Sequence, residues 1–398
     1  MLFLFLENLT EPPEFWFTER DSSIGTNTYL IGLQKPYILV DAAEGLESYL
    51  PLLTSALQAS NSTTTSNLST PDVSDIIISH WHHDHVKGLP SVLTLLKNLW
   101  VGRNQGREAE YQGPKLHKYP LDKTTTNTGG GGGEQHVGNH NILPDIEKTL
   151  QKEFKLYTAA PDGSVFHDLH DGQKFITVDK GSGTTTTTAA TTLLEVLYTP
   201  GHSADSICLY LPIDRALYTA DTVLGHGTAV FEDLAAYMKS LNSMLKFNNE
   251  TRNQGEKAKL SVAYDTLYPG HGDILTNGRE TIATYIKHRM ERETQIVEVL
   301  RLPVPVELLQ SSNSDLDLDR QRQFWTIWNV VRYIYKSYPE NLWLPATRSV
   351  HLHLKKLEGE GIVRCVGGEG KDMMWELLVA NPSGSGSTTV SSKLAFKI

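Results

Sequence analysis

Only two cysteines, Cys208 and Cys365, occur in 398 residues, and they stand far apart. That argues against a disulfide framework and for a reducing compartment, with each thiol serving as small apolar filler. Positive charge is also short, since 36 Lys and Arg face 46 Asp and Glu for a net −10. Such a chain gains nothing as a whole from phosphate counterion release, so a nucleic-acid partner would need a local basic patch. Long apolar runs are missing as well. The opening MLFLFLENLTEPP has no basic residue before its apolar stretch, no small-residue cleavage site, and far fewer apolar residues than the roughly 20 a membrane span requires. It also lacks the arginines of a mitochondrial presequence. No membrane partner is expected, and a cytoplasmic location is.

The apolar share, 39%, is adequate for a core, and the length suits one large domain plus a smaller one. NTYLIG and YILVDA read as two strands joined by a short turn, a hairpin that opens a sheet. DIIIS, ending at Ser79, is a short continuous apolar run and fits a strand buried on both faces. LLEVLYTPGH, SICLYLP and ALYTAD return to strand composition further on. Three Ser/Thr/Gly tracts, near 60–71, 124–135 and 181–192, cannot bury a core and read as disordered surface inserts.

From Thr281 to Arg301 apolar residues recur at helical spacing, predicting an amphipathic helix. The polar SSNSDLDLDR, Ser311 to Arg320, then marks a domain boundary. Beyond it, QFWTIWNVVRYIY reads as a helix, and TRSVHLHLKKLEGEG as a second with Val350, Leu352, Leu354 and Leu357 near one side. GIVRCV and MMWELLV follow as a hairpin. Helix, helix and two-stranded wing make a winged-helix arrangement. The expected division is a catalytic domain over 1–310, a winged-helix-like domain over 314–380 and a tail over 381–398.

What the sequence does have is SHWHHDH, Ser79 to His85, at the carboxyl edge of a predicted strand, where open α/β sheets place their sites. Imidazole and carboxylate together, with few thiols, favour zinc over softer or purely oxygen-preferring metals. Three more candidate ligands stand at predicted strand ends: His202 in TPGHS, Asp221 in YTADT and His271 in YPGHGD. The Pro-Gly turns before two of them bring side chains to a sheet rim.

H-x-H-x-D-H followed by a lone His, a lone Asp and a final His resembles the metallo-β-lactamase superfamily over about Gly25 to Arg301. The resemblance implies a four-layered αββα sandwich with its site at the rim of two facing sheets, an α/β fold, here followed by the winged-helix-like domain. It also implies two Zn²⁺ per chain: His80, His82 and His202 on one, Asp84, His85 and His271 on the other, and Asp221 bridging. His83 falls on the variable position. Two zincs would lower the pKa of a shared water from about 15.7 to about 7, so hydrolysis near neutral pH follows. Asp84 is the catalytic candidate, because a carboxylate beside that water can orient it and take its proton.

The runs GTNTYLIG, VDAAEG, LGHGTAVFEDLAAYMKSL, PGHG, YIKHRMERE, PENLWLPA and HLHLKKLEGEGIV resemble the β-lactamase-like 2 subfamily. Two activities share that architecture. One is a thioesterase releasing polyketide chains from the acyl carrier protein of a fungal polyketide synthase, and the other a single-strand-specific endoribonuclease acting on RNA. TADTVLGHGTAVFEDL is closer to the thioesterases, and a thiolate leaves without a general acid, whereas a ribose alkoxide benefits from one. His226 is the one extra histidine near Asp221, as that acid, a partner to a ligand or an ordinary loop residue. Tyr29, Trp81 and the Trp325/Trp328 pair are candidates for an acyl pocket, although Trp325 and Trp328 at helical spacing read better as core. Lys355, Lys356 and Arg364 are the candidates for an RNA-binding tail, largely cancelled by Glu358 and Glu360. A relic scaffold that only binds would not need all seven ligands.

Overall fold

In the computed structural model the described residues are 25–32, 34–59, 68–121, 141–153, 155–178, 190–247, 263–309 and 324–378. The N-terminal lead-in, most of the three polar tracts, the boundary at 311–320 and the tail lie outside them.

Alternation along short strands builds the first sheet. Strands β1 (Tyr29–Ile31), β2 (Tyr37–Val40), β3 (Val73–Ile78), β4 (Lys115–Lys118) and β5 (Phe166–Asp168) pair in that order, with the hairpin β1–β2 antiparallel and the rest parallel. In β3, Ile76 and Ile78 pack outward with Leu53, Leu57, Val92, Leu93 and Leu96 of the helices Tyr49–Ala59 (α1) and Leu89–Arg103 (α3). Ile77 between them points the other way, toward the second sheet. A strand so flanked is apolar on both faces, hence the unbroken run in its sequence. The short helix α2 (His83–Val86) lies between β3 and α3, and α4 (Leu143–Lys152) joins the same outer layer.

The second sheet has the order β10-β9-β8-β7-β6, with β6 (Lys174–Val178), β7 (Ala190–Tyr198), β8 (Ile207–Leu211) and β9 (Ala216–Ala220) antiparallel in turn and β10 (Thr266–Pro269) parallel to β9. Val196, Ile207, Leu209 and Tyr218 meet Tyr29, Ile38, Val40 and Ile77 in the core between the sheets. Helix α5 (Leu234–Lys246) buries Tyr237, Leu241 and Met244, and the Tyr237 hydroxyl donates to Thr222 O just past β9. Helices outside two facing sheets complete the αββα sandwich.

The chain divides into two compact units, and the cut at Lys287/His288 falls within helix α6 (Gly278–Leu300). In the second unit β11 (Trp325–Thr326), α7 (Ile327–Ile334), α8 (Trp343–Gly359), β12 (Val363–Gly367) and β13 (Met374–Leu377) form a winged helix, its sheet ordered β11-β13-β12.

Four local expectations change. The backbone of Ala190–Thr192, at the end of the third tract, is strand paired with β6, where β-branched Thr192 is at home. Leu68 and Ser69, at the end of the first, are held by Asn104 Nδ2 and Trp100 Nε1 on their carbonyls. Trp325 stands in β11 opposite Trp375 rather than in a helix, because Thr326 caps α7 by accepting from Asn329 N. On α8 the inward residues are Val350, His353, Leu354 and Leu357. Leu352, about 200° round the helix from Val350, is displaced by His353.

Candidate metal centre

The register brings one rim of each sheet together. His80 and His82 follow the carboxyl end of β3, and Asp84 and His85 lie in α2. Parallel strands β9 and β10 end side by side, so Asp221 and His271, just beyond them, fall at one edge. Antiparallel pairing puts the β7–β8 turn, with His202, at that same edge.

Tight packing fixes these turns. A side chain at Gly270 would place its Cβ 2.4 Å from Asp221 Oδ1, so only glycine lets β10 end against β9. Asn27 clasps the following turn, its amide donating to Pro269 O and Gly272 O at 3.2 and 2.8 Å. Ala220, immediately before Asp221, holds a left-handed φ of 45°, backbone strain of the kind stored at functional sites.

All seven predicted ligands converge in two donor groups, His80/His82/His202/Asp221 and Asp84/His85/His271. In the first, His80 Nε2, His82 Nδ1 and His202 Nε2 stand 2.9–3.2 Å apart. Three nitrogens about 2.05 Å from one tetrahedral cation would be about 3.3 Å apart, so the triangle is nearly the right size. Asp221 reaches both groups: Oδ2 is 3.6 Å from His202 Nε2 and 3.4 Å from His271 Nε2, while Oδ1 is 3.4 Å from His85 Nε2. In the second group Asp84 Oδ2 is 3.3 Å from His85 Nε2 and 3.1 Å from His271 Nε2. His83, more than half exposed, is turned away.

Buried His85 Nε2 and Asp221 Oδ1 make no hydrogen bond. Orphaned donors aimed at one another are what a metal ion would satisfy, so the residues fit a dinuclear site.

Charge inside the cluster is uneven. Burial, with His85, His82 and His202 close by, pushes His80 well below its ordinary value. Burial and neighbouring His202 bring His82 down to about 3. Both are therefore neutral, as ligands must be. Burial opposes charge on His271 too, but Asp221 and then Asp84 raise it to about 10. Burial likewise works against His85, and Asp84, Asp41 and Asp221 still raise it. Asp84 and Asp221 are held ionised against burial by these imidazoles. A cation entering here takes the place of protons.

Asp41 is a site residue that sequence reasoning missed. Fully buried at the end of β2 with φ 60°, it accepts from Ser79 N and Ser79 Oγ at 2.8 Å, from the Tyr218 hydroxyl, and contacts His85 Nδ1 at 2.7 Å. This fixes which His85 nitrogen faces the second group. Its one sequence signal is that YILVD, like ALYTAD, ends a strand in an acid. Val230 O plays the same part for His202 Nδ1 at 2.8 Å, and the Thr26 hydroxyl donates to Asp84 Oδ2 at 3.0 Å.

Other expectations divide. Tyr29 belongs to the buried core between the sheets, its hydroxyl donating to Pro269 O. Trp81 is half-buried with its ring 4.6 Å from that of His82. His226 is exposed and in neither donor group. Trp325 is core, donating to Leu302 O, and Trp328 packs at the edge of the same cluster. The three tail cations are matched by carboxylates: Lys355 by Glu358, Lys356 by Glu293 and Glu360, Arg364 by Glu376. Among the described residues no helix is long and apolar enough to cross a membrane.

A fold of this kind with this donor set defines a class of metal-dependent hydrolases, and sequence comparison agrees. Residues 24–271 match the metallo-β-lactamase superfamily and 326–371 the β-lactamase-associated winged helix domain. The chain therefore belongs to the metallo-β-lactamase superfamily. It is 29% identical over 341 residues to a protein named β-lactamase-like protein 2 homolog from Drosophila melanogaster, spanning 85% of this chain and 84% of that one. It is 30% identical over 278 residues to a protein named thioesterase pkgB from Emericella nidulans, spanning 70% of this chain but 55% of that one. A solved β-lactamase domain protein from Burkholderia ambifaria superposes with a TM-score of 0.50 at 16% identity, covering 89% and 87% of the two chains, which supports the fold alone.

Proposed function

We propose that this chain is a dinuclear-zinc thioesterase that releases an acyl or polyketide chain from an acyl carrier protein in secondary metabolism. The observation that carries the hydrolase reading is the pair of donor groups, with Asp221 of the first 3.4 Å from His85 Nε2 and His271 Nε2 of the second. Imidazole and carboxylate donors without thiols suit zinc. Zinc bound here would supply a polarised carbonyl oxygen and a water acidic enough to attack near neutral pH.

The chain's own residues do the rest. Asp41 and Val230 O hold His85 and His202 in single orientations. Asp84 Oδ2 accepts from Thr26 and faces His85 and His271, so the Asp84 carboxylate is oriented into the donor groups, where it can receive a proton from an attacking water. The departing thiol, with an ordinary pKa near 8.5, leaves as thiolate and asks for no donor beyond the ligand set. Trp81 against His82, and exposed Val230 behind His202, give the first donor group apolar flanks suited to an acyl chain.

Endoribonuclease activity is the competing reading. The Glu partners of Lys355, Lys356 and Arg364 speak against an RNA-binding tail built on them. The deciding experiment is thiol release from a small aryl-acyl thioester by the zinc-loaded chain, run beside single-stranded RNA, with Asp84→Ala as blank. Thioester turnover lost in the variant, with RNA intact, is the expected result. RNA cleavage alone would replace this reading with the nuclease.

A further inference from the structure

One buried ion pair near the rim takes no part in the chemistry above. Lys118 ends β4, in register with Ile78 of β3, the strand that leads to His80. Asp205 lies in the β7–β8 turn that carries His202. Their side chains are 4% and 0% exposed and in direct contact, Lys118 Nζ against Asp205 Oδ2. Ser203 Oγ donates to Asp205 Oδ1 at 2.7 Å, and Lys118 Nζ also reaches Tyr119 O at 3.2 Å. A charge from the first sheet thus meets a charge from a turn of the second, at the edge where the ligands gather.

Such a pair is an expensive way to gain stability, because desolvating two charges consumes most of their attraction. What it can supply is a single geometry. The turn's other ties are neutral: Ile207 N to Ser79 O at 3.1 Å, Thr199 N to Ser206 O at 3.0 Å, and Gly201 lying so close to α5 that a Cβ would come 2.3 Å from Tyr237 Cα. Among the described residues, the Lys118–Asp205 pair is the tie that sets a lysine from the first sheet against a carboxylate of this turn, drawing it toward the His80 end of β3. His202 belongs to the first donor group alone.

We propose that Lys118 and Asp205 are positioning residues for His202. They hold its imidazole in the triangle with His80 and His82, and so set metal affinity at that group while leaving Asp84, His85 and His271 to bind independently. This rests on the dinuclear reading of the site and on neither choice of substrate.

The test is stepwise zinc binding to the full chain by calorimetric competition with a chelator, followed by cobalt absorption spectra. Lys118→Met and Asp205→Asn should each weaken one binding step by roughly 10- to 100-fold, the usual effect of losing a partner behind a ligand. The other step should stay at its wild-type affinity, and Lys118→Arg should restore both. Because a single variant leaves a buried charge uncompensated, Lys118→Met with Asp205→Leu is measured alongside. It removes both charges and should keep the native circular dichroism yet show the same one-step loss. Two undiminished binding steps in the double variant, or equal weakening of both steps in every variant, would overturn the assignment. A wild-type chain binding no metal would sink the dinuclear reading and this inference with it, whereas wild-type behaviour in all variants sinks this inference alone.

Discussion

Of the places where the described residues bury histidine against carboxylate, the rim of the sandwich and the contact of Glu293 with His353 end up opposite in character. At the rim of the sandwich, imidazoles and carboxylates face one another with donor atoms left over, and the positive charge that holds Asp84 and Asp221 ionised comes from imidazoles. In the second unit, Glu293 of α6 is equally buried, but Lys356 Nζ of the winged helix lies 2.8 Å from it, and His353 Nδ1 stands 3.9 Å off. A lysine supplies there the positive charge that imidazoles supply at the rim. Burial of His beside Glu or Asp is therefore not the mark of a metal site. Convergence of several donors that only a cation can satisfy is.

The sharpest break between the two places is catalytic. Asp84→Ala should lower hydrolysis by at least about 100-fold with circular dichroism unchanged. Glu293→Gln should leave turnover near wild type. Equal losses in both would erase the distinction.

Metal removal comes next. A ligand held at 100 to 1,000 times its dissociation constant stabilises the folded state by about 3–4 kcal/mol, so chelation should loosen the sandwich by that order. Hydrogen exchange read peptide by peptide should show the change around 79–86, 199–206 and 219–223 and not within Trp343–Gly359. Uniform loosening would contradict a metal confined to the rim.

In the second unit, Glu293→Gln strips Lys356 of its buried partner but leaves it Glu360. The loss should be on the order of 2 kcal/mol in denaturant unfolding, less than for a buried charge with no other partner. No measurable change would mean that Lys356 reaches water.

The smallest effect is with pH. Burial keeps His353 below its ordinary value against the pull of Glu293, with Arg289 and Arg292 adding to the depression. Below about pH 6.5 the unfolded chain takes up a proton that the folded one does not, so stability falls as pH falls. Glu293 acts in the same direction lower down, since His353 and Lys356 hold it below the usual carboxylate range despite burial. Its contribution is present above about pH 4.5 and lost as pH falls through its folded value. His353→Leu should flatten the upper part of this dependence, and an unchanged slope would contradict it.

How much of this the sequence revealed follows from what each residue does. Candidate ligands that end strands or follow Pro-Gly turns leave a pattern along the chain, and the seven named through family resemblance are the side chains that converge at the rim. The wing and its helices are legible because apolar period and turn residues are local properties. Asp41 is hidden because its partners, Ser79, His85 and Tyr218, are distant in sequence. Val230 acts through its carbonyl, which every residue has. Lys118 and Asp205 look like surface charges until β4 and the β7–β8 turn meet. Trp325 misleads in the other direction, because aromatic spacing of three suits a helix and a helix does begin two residues later.

The most direct test of the central claim is elemental analysis of the purified full chain after zinc loading and removal of loose metal. The account predicts about two zincs per chain, falling to about one in His202→Ala. A wild-type chain that retains none would contradict it.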